Sequence, residues 1–140
     1  MASSVDRLEV AFFDVETTIP TRPGEAHAIL EFGSILVCPK KPIEFERFDT
    51  LVRPHNIYLI SSSFVHSNGI TIDAVVSASS FSDIADRVYD ILHESMGCLR
   101  GRVWAGYNIL RFDCLRLREA YVQINRPPPD RKKSLIQWLC

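Results

Sequence analysis

The alternation of hydrophobic and polar residues along the chain predicts three strands, followed by helices that alternate with a further strand. Apolar runs at 10–14, 28–37 and 43–52 are separated by turn-forming residues and indicate the three strands. Because both connections between them are short, we expect an antiparallel meander. Gly33, in the middle run, indicates a bulge or a close backbone approach.

The second part of the chain carries helical spacing of its apolar residues. That spacing covers 81–93 and returns over about 108–124, while serines that can cap a helix open a short one at 61–66. A strand is expected at 102–107, and three prolines at 127–129 end the last helix. The order predicts an α/β fold in which helices pack over a mixed sheet.

Composition narrows the class of protein without defining its function. The 140 residues suit one compact domain, and 46% hydrophobic and 24% charged residues are ordinary for a globular protein. A formal net charge of -1 means that any contact with nucleic acid must come from local basic patches. No apolar run approaches the ~20 residues of a membrane span, and the four cysteines show no zinc-type spacing. We expect an intracellular protein, in the cytoplasm or the nucleus, without membrane association.

Three carboxylates carry the candidate chemistry. Asp14 and Glu16 end the first strand two residues apart, so both side chains point to one face. Two such anionic groups repel each other unless a cation lies between them, and Mg²⁺ or Mn²⁺ prefers oxygen ligands. Asp113 lies where the fourth strand meets the next helix, near the same end of the sheet. The alternatives are solvated carboxylates at a strand end and an acid in the first turn of a helix.

The segments around these carboxylates resemble the DEDDh 3′–5′ exonucleases, a ribonuclease-H-like family. Residues 12–18 (FFDVETT) are similar to the first motif of the family. Residues 106–113 are similar to the second, usually His-Asn-x-x-Phe-Asp, although Tyr107 replaces the histidine and one additional residue follows Asn108. The resemblance runs from about residue 8 to 129 and includes the intervening segments 51–54, 68–71 and 81–84. Residues 108–113 also resemble plant proteins that carry this domain.

This resemblance implies a ribonuclease-H-like exonuclease fold and a two-metal phosphodiesterase that acts on the 3′ end of a single DNA or RNA strand. Asp14, Glu16 and Asp113 would be catalytic residues and ligands of two Mg²⁺ or Mn²⁺ ions. Thr17 would lie beside the terminal nucleotide, through its backbone amide, and Asn108 would either contact the strand or brace the second motif.

The chain departs from the family after the second motif. The third motif places a histidine about five residues before a final aspartate, whereas all histidines here precede Asp113 and only Glu119 and Asp130 are acidic after it. We therefore expect the last strand and helix to be missing, residues 1–129 to form an incomplete domain, and 130–140 to be a divergent tail. Loss of the general base, worth roughly 10²–10⁴ in rate, predicts weak or no activity. His27 is expected either to approach the site or to serve in packing, and Glu119 to be a solvated charge.

Two other functions fit the same sequence. A noncatalytic interaction module would form a homodimer or heterodimer through the apolar C-terminal tail and an open sheet edge. The tail could equally fold over the local core or be disordered. A passive nucleic-acid binder would use basic residues that are otherwise an ordinary solvated face, namely Arg100, Arg102, Arg111, Arg116, Arg118 and the residues at 131–133.

Overall fold

A computed structural model describes residues 9–38, 40, 43–93, 102–129 and 135–138. It contains a five-stranded sheet with the two longest helices packed on one face. The strands are β1 (Glu9–Thr17), β2 (Ile29–Cys38), β3 (Ile43–Leu51), β4 (Arg102–Tyr107) and β5 (Leu135–Trp138). The helices are α1 (Ser62–Asn68), α2 (Ile72–Val75), α3 (Phe81–Leu92) and α4 (Cys114–Gln123), with a 3₁₀ turn at Ile57–Leu59 and a π-helical segment at Ile109–Asp113.

The strand order, β3-β2-β1-β4-β5, confirms the predicted mixed sheet. The first three strands form the antiparallel meander. β4 then pairs with β1 in parallel, as a strand must when it is reached through a helical crossover. The ladder is regular at Gly33, where no bulge occurs; an added Cβ there would lie 3.2 Å from the Asp49 carboxylate. Thus β1 is central, and its carboxyl end lies near that of β4.

The end of the chain differs from the prediction. The last strand was expected to be missing, but 135–138 form β5, which pairs in parallel with the outer edge of β4. The physical reason is that the free edge of β4 presents unpaired backbone groups to a short apolar strand. No helix follows α4 within the described residues. The domain boundary at 129/130 stays a prediction, and 130–134 and 139–140 lie outside the described residues.

The main core lies between the sheet and helices α3 and α4. Alternate residues of β1, among them Phe13 and Val15, point into it and meet the apolar faces of the two helices. Phe13 stacks on Phe32 and meets Trp104 edge-on, with 5.8 Å between the second pair of ring centroids. The opposite residues of β1 therefore face away from this core, and these include both carboxylates of the first motif.

Helix α3 is fixed at both of its ends. At its start, the side chains and backbone amides of Ser80 and Asp83 bond reciprocally in a capping box. At its end, the buried Arg102 guanidinium donates to the carbonyls of Asp90 and Ile91 and pairs with Glu9 at 2.8 Å. These contacts fix α3 against the β1–β4 pair. None of the described helices has the length and apolar character needed to cross a membrane.

Candidate metal-binding active site

β1 presents Asp14 and Glu16 on the sheet face opposite the main core. The two flank Val15, which is buried, whereas Asp14 is exposed and Glu16 is half-buried. The predicted arrangement of two carboxylates on one face is therefore present. The strand continues to Thr17 rather than ending at Asp14, so both carboxylates belong to the strand itself.

Asp113 is distant from β1 in the sequence, yet its side chain contacts this strand in the fold. β1 and β4 stay paired only as far as Phe12 and Ala105, so the Val15 amide beyond that point has no β4 carbonyl to bond. The Asp113 carboxylate accepts the hydrogen bond from this amide at 3.0 Å, and the residue is only 1% exposed. This contact brings Asp113 beside the first motif, as predicted.

The additional residue of the second motif is accommodated by the π-helical segment. A π-turn holds one more residue than an α-turn, so an insertion widens the helix without displacing the residues after it. Asn108 precedes it in the left-handed conformation, with φ 50°, a region that asparagine tolerates better than most residues. Its carbonyl accepts hydrogen bonds from the amides of Arg111 and Phe112. The insertion therefore leaves Asp113 facing β1.

Two of the three carboxylates, Asp113 and Glu16, have a pKa above that of an isolated acid. Burial raises the pKa of Asp113 to about 7; the bond from the Val15 amide opposes this rise, and the negative charge of Asp14 adds to it. Burial and the charges of Asp14 and Glu31 likewise raise the pKa of Glu16. No lysine or arginine among the described residues forms an ion pair with these three carboxylates. The site thus carries excess negative charge.

An open cavity of about 560 Å³ lies in front of the two β1 carboxylates. Asp14 and Glu16 line it together with Gly33, Asp49 and Tyr107. Asp113 is not among its lining residues, because the carboxylate bonds to the Val15 backbone. Sequence reasoning missed Asp49, although it is opposite Gly33, which is itself opposite Asp14 in the sheet register. The register of β3 was the signal that could have located it.

The donor chemistry of this site suits a hard divalent cation, while its geometry is not preassembled. All candidate ligands are carboxylate oxygens, which Mg²⁺ and Mn²⁺ prefer, and the excess charge would be relieved by a cation. Within the described part of the chain, no three acidic, histidine or cysteine side chains converge closely enough to hold an ion. A metal ion would therefore have to draw the side chains together, at least by rotation of the exposed Asp14.

The two predicted substrate contacts occupy different environments. Thr17 is buried, and its hydroxyl donates to the Thr18 carbonyl at 3.0 Å. Asn108 is partly exposed at the start of the π-helical segment, and its side chain forms no capping hydrogen bond. The hydroxyl of Thr17 is thus used within the protein, whereas the side chain of Asn108 is not used as a cap.

His27 and Glu119 belong to a cluster beside Phe112. His27 contacts Arg116 and meets the Phe112 ring edge-on, with 6.3 Å between ring centroids. Burial and the charge of Arg116 lower the pKa of His27, with Glu119 acting in the opposite sense. Glu119, expected to be a solvated charge, is instead half-buried and pairs with Arg116 at 3.3 Å because that guanidinium lies one turn away on α4. Of the two roles expected for His27, approach to the site or packing, these contacts correspond to packing.

Comparison with known proteins identifies the family of this domain. Residues 11–139 match the family described as Exonuclease. The chain belongs to this exonuclease family. The match extends to residue 139 and so reaches into 130–140, the segment that was predicted to be a divergent tail. In sequence, the chain is 58% identical to Protein NEN2 and 59% identical to Protein NEN1 of Arabidopsis thaliana, over 130 residues and 93% of the chain in each case.

Solved structures of exonucleases share the fold. The nuclease domain of 3'hExo, a DEDDh family member bound to rAMP, gives a TM-score of 0.74 at 21% identity, covering 92% of this chain and 66% of that one. E. coli Exonuclease I in complex with an oligonucleotide gives 0.74 at 20% identity, covering 94% of this chain and 28% of that one. The chain spans only 25% of the length of Protein NEN2 and 26% of Protein NEN1.

Proposed function

We propose that this exonuclease domain binds the 3′ end of a single nucleic-acid strand and acts on its terminal phosphodiester bond with the help of two divalent cations. Asp14, Glu16 and Asp113 would hold the ions. The observation that supports this most directly is the placement of Asp113, buried against the Val15 amide beside the charged Asp14. Carboxylates crowded in this way are costly to ionise unless a cation compensates them.

In this proposal each residue of the site has its own role. Bound divalent ions would supply stabilisation of negative charge on the attacking and leaving oxygens. Glu16, the half-buried carboxylate on the open face, would accept a hydrogen bond from the attacking water and orient it. Thr17 would contribute its backbone amide, since its hydroxyl is bonded to Thr18. Asn108 would contact the strand with its side chain.

We further propose that the chain is weakly active or inactive when it acts alone. The four histidines all precede the second motif, and His27 packs against Phe112 and Arg116 instead of serving as a base. Without a general base, the rate should be lower by roughly 10²–10⁴ than that of a complete site. Metal binding and turnover can therefore be tested separately.

Mn²⁺ titration of the folded chain tests the metal site. We expect binding by the wild type and loss of affinity in Asp14→Asn and Glu16→Gln, each of which removes a charge at almost unchanged volume. Asp73→Asn, an exposed acid on α2, is the matched control and should bind as the wild type does. Equal Mn²⁺ affinity in wild type and Asp14→Asn would contradict the site.

Release of nucleotides from a 3′-labelled oligonucleotide, DNA or RNA, tests the activity. We expect slow, Mn²⁺-dependent release that Asp14→Ala abolishes. Rapid release that Asp14→Ala abolishes would disprove the weak-activity proposal but support the proposed metal site. Release that Asp14→Ala leaves unchanged would disprove the site.

A noncatalytic interaction module is the second candidate, and β5 favours it. β5 is one of the two edge strands of the described sheet, and an edge strand can pair with another chain, either a second copy or a different partner. Light scattering on the intact chain and on a version that ends at Pro129 distinguishes the cases. An oligomer that is lost on truncation supports the module, whereas a monomer in both forms contradicts it.

A further inference from the structure

The cavity of the proposed active site has an aromatic wall. Tyr107, the last residue of β4, is 64% exposed and lines the cavity together with Asp14 and Glu16. The parallel pairing of β1 and β4 ends at Phe12 and Ala105, and Asp14 and Tyr107, each two residues further along its strand, line the same cavity. A large aromatic side chain is therefore held in water next to the carboxylates, where it contributes little to the core.

The backbone on both sides of Tyr107 is constrained. Gly106 lies so close to β1 that a Cβ on it would be 2.8 Å from the Phe13 carbonyl oxygen. Asn108 turns the chain in the left-handed conformation directly after it. A tyrosine side chain has only two further torsions, so little entropy is lost when its ring is used for binding. Tyr107 is in this sense a prearranged contact surface.

The lining of the cavity separates an apolar part from an anionic part. Phe12 and Ile35 contribute apolar surface, and Gly33 contributes no side chain. Asp14, Glu16 and Asp49 contribute the carboxylates. A ligand that matches both parts has a flat, uncharged ring joined to a phosphate that a cation can bridge to the acids. A nucleotide has this construction, and its base has a π-face suited to an aromatic ring.

We infer that Tyr107 stacks against the base of the 3′-terminal nucleotide and makes a terminal base a requirement for tight binding. This inference rests on the proposed function, because it uses the same cavity. It adds a specificity-determining residue to the site. Since every base has a π-face, the contact selects for the presence of a base and tolerates its identity.

Binding of a single-stranded oligonucleotide with 2-aminopurine at its 3′ end tests the stacking. In Ca²⁺, we expect the fluorescence to be quenched when the wild type binds. Tyr107→Ala should weaken binding about tenfold, as for loss of one base–aromatic stack, and should lose the quenching. Tyr107→Phe should retain both, because the ring makes the contact. Tyr58→Ala is the control: Tyr58 is 84% exposed, does not line this cavity, and should leave binding unchanged.

An oligonucleotide with an abasic 3′ end completes the design. The wild type should bind it about tenfold more weakly than the normal oligonucleotide, and Tyr107→Ala should cause no further loss. Because this comparison uses only the wild type, it tests the requirement for a terminal base even if Tyr107→Ala does not fold. Equal wild-type affinity for the two oligonucleotides would overturn the inference. The proposed function would still stand in that case if Mn²⁺ binding and turnover were observed. Absence of any binding by the wild type would overturn both.

Discussion

The contact between Gly106 and β1 gives a sharp prediction about the site. In Gly106→Ala the new Cβ would lie 2.8 Å from the Phe13 carbonyl oxygen, whereas ordinary contact begins at 3.4 Å, so β4 must move by more than half an ångström. The backbone at Phe13 cannot yield easily, because it is paired with β2 and its ring packs on Trp104. Overpacking of this kind costs about 1–3 kcal/mol, and the lower entropy of alanine in the unfolded chain returns about 0.4–1 kcal/mol.

We therefore expect Gly106→Ala to reduce the free energy of unfolding by about 1–2 kcal/mol, which lowers the urea midpoint by roughly 0.5–1 M at an unchanged m-value. Urea unfolding followed by circular dichroism measures this. Gly33→Ala is the matched control in the same sheet. Its Cβ would meet only the end of the exposed Asp49 side chain at 3.2 Å, which can rotate away. An unchanged midpoint in Gly106→Ala, or an equal loss in Gly33→Ala, would refute the reasoning.

Three further predictions concern the ends of α3 and the buried acid. Burial raises the pKa of Asp113 from 3.8 to about 7, so between about pH 4 and 7 the folded state binds more protons than the unfolded chain and stability falls as pH rises. In EDTA, the urea midpoint should be lower at pH 8 than at pH 5, and Asp113→Asn should remove this decline; an identical pH dependence in the variant would contradict it. Ser80→Ala breaks the capping box and should cost about 1 kcal/mol in thermal or urea unfolding, whereas the exposed Ser82→Ala should be nearly neutral. Arg102→Met leaves the buried Glu9 without this ion pair and should cost about 3–5 kcal/mol in the same measurement, and a loss below 1 kcal/mol would show that the pair is dispensable.

Local pattern was sufficient for the parts of the fold that depend on near neighbours in the chain. The alternation along β1 predicted that Asp14 and Glu16 share a face, and the structure has Val15 buried between them. Short connections predicted the meander, and helical spacing predicted α3 within one residue of its end at Leu92. The short helix α2 was not predicted, because four residues are too few to show a period.

The helix after β4 shows where local pattern gives an incomplete answer. Helical spacing from 108 to 124 predicted one continuous helix, but the first turns are π-helical at Ile109–Asp113. The extra residue after Asn108 had appeared to weaken the resemblance to the second motif. In the folded chain the insertion is absorbed by a wider turn, so that Asp113 can still bond to β1.

The sequence by itself predicted β1 to β4, α3 and most of α4, because strand and helix periods are properties of short stretches of backbone. The resemblance to the exonuclease motifs singled out Asp14, Glu16 and Asp113 as candidate ligands. Only the tertiary structure decided that Asp113 lies buried on the Val15 amide, 98 residues away along the chain, that Tyr107 and Asp14 line one cavity, and that β5 pairs with β4. These contacts depend on the order of strands in the sheet and on how closely Gly106 lets β4 approach β1. The strand order and the spacing between β4 and β1 are set only when the whole sheet is assembled, so the periodicity of the sequence cannot predict them.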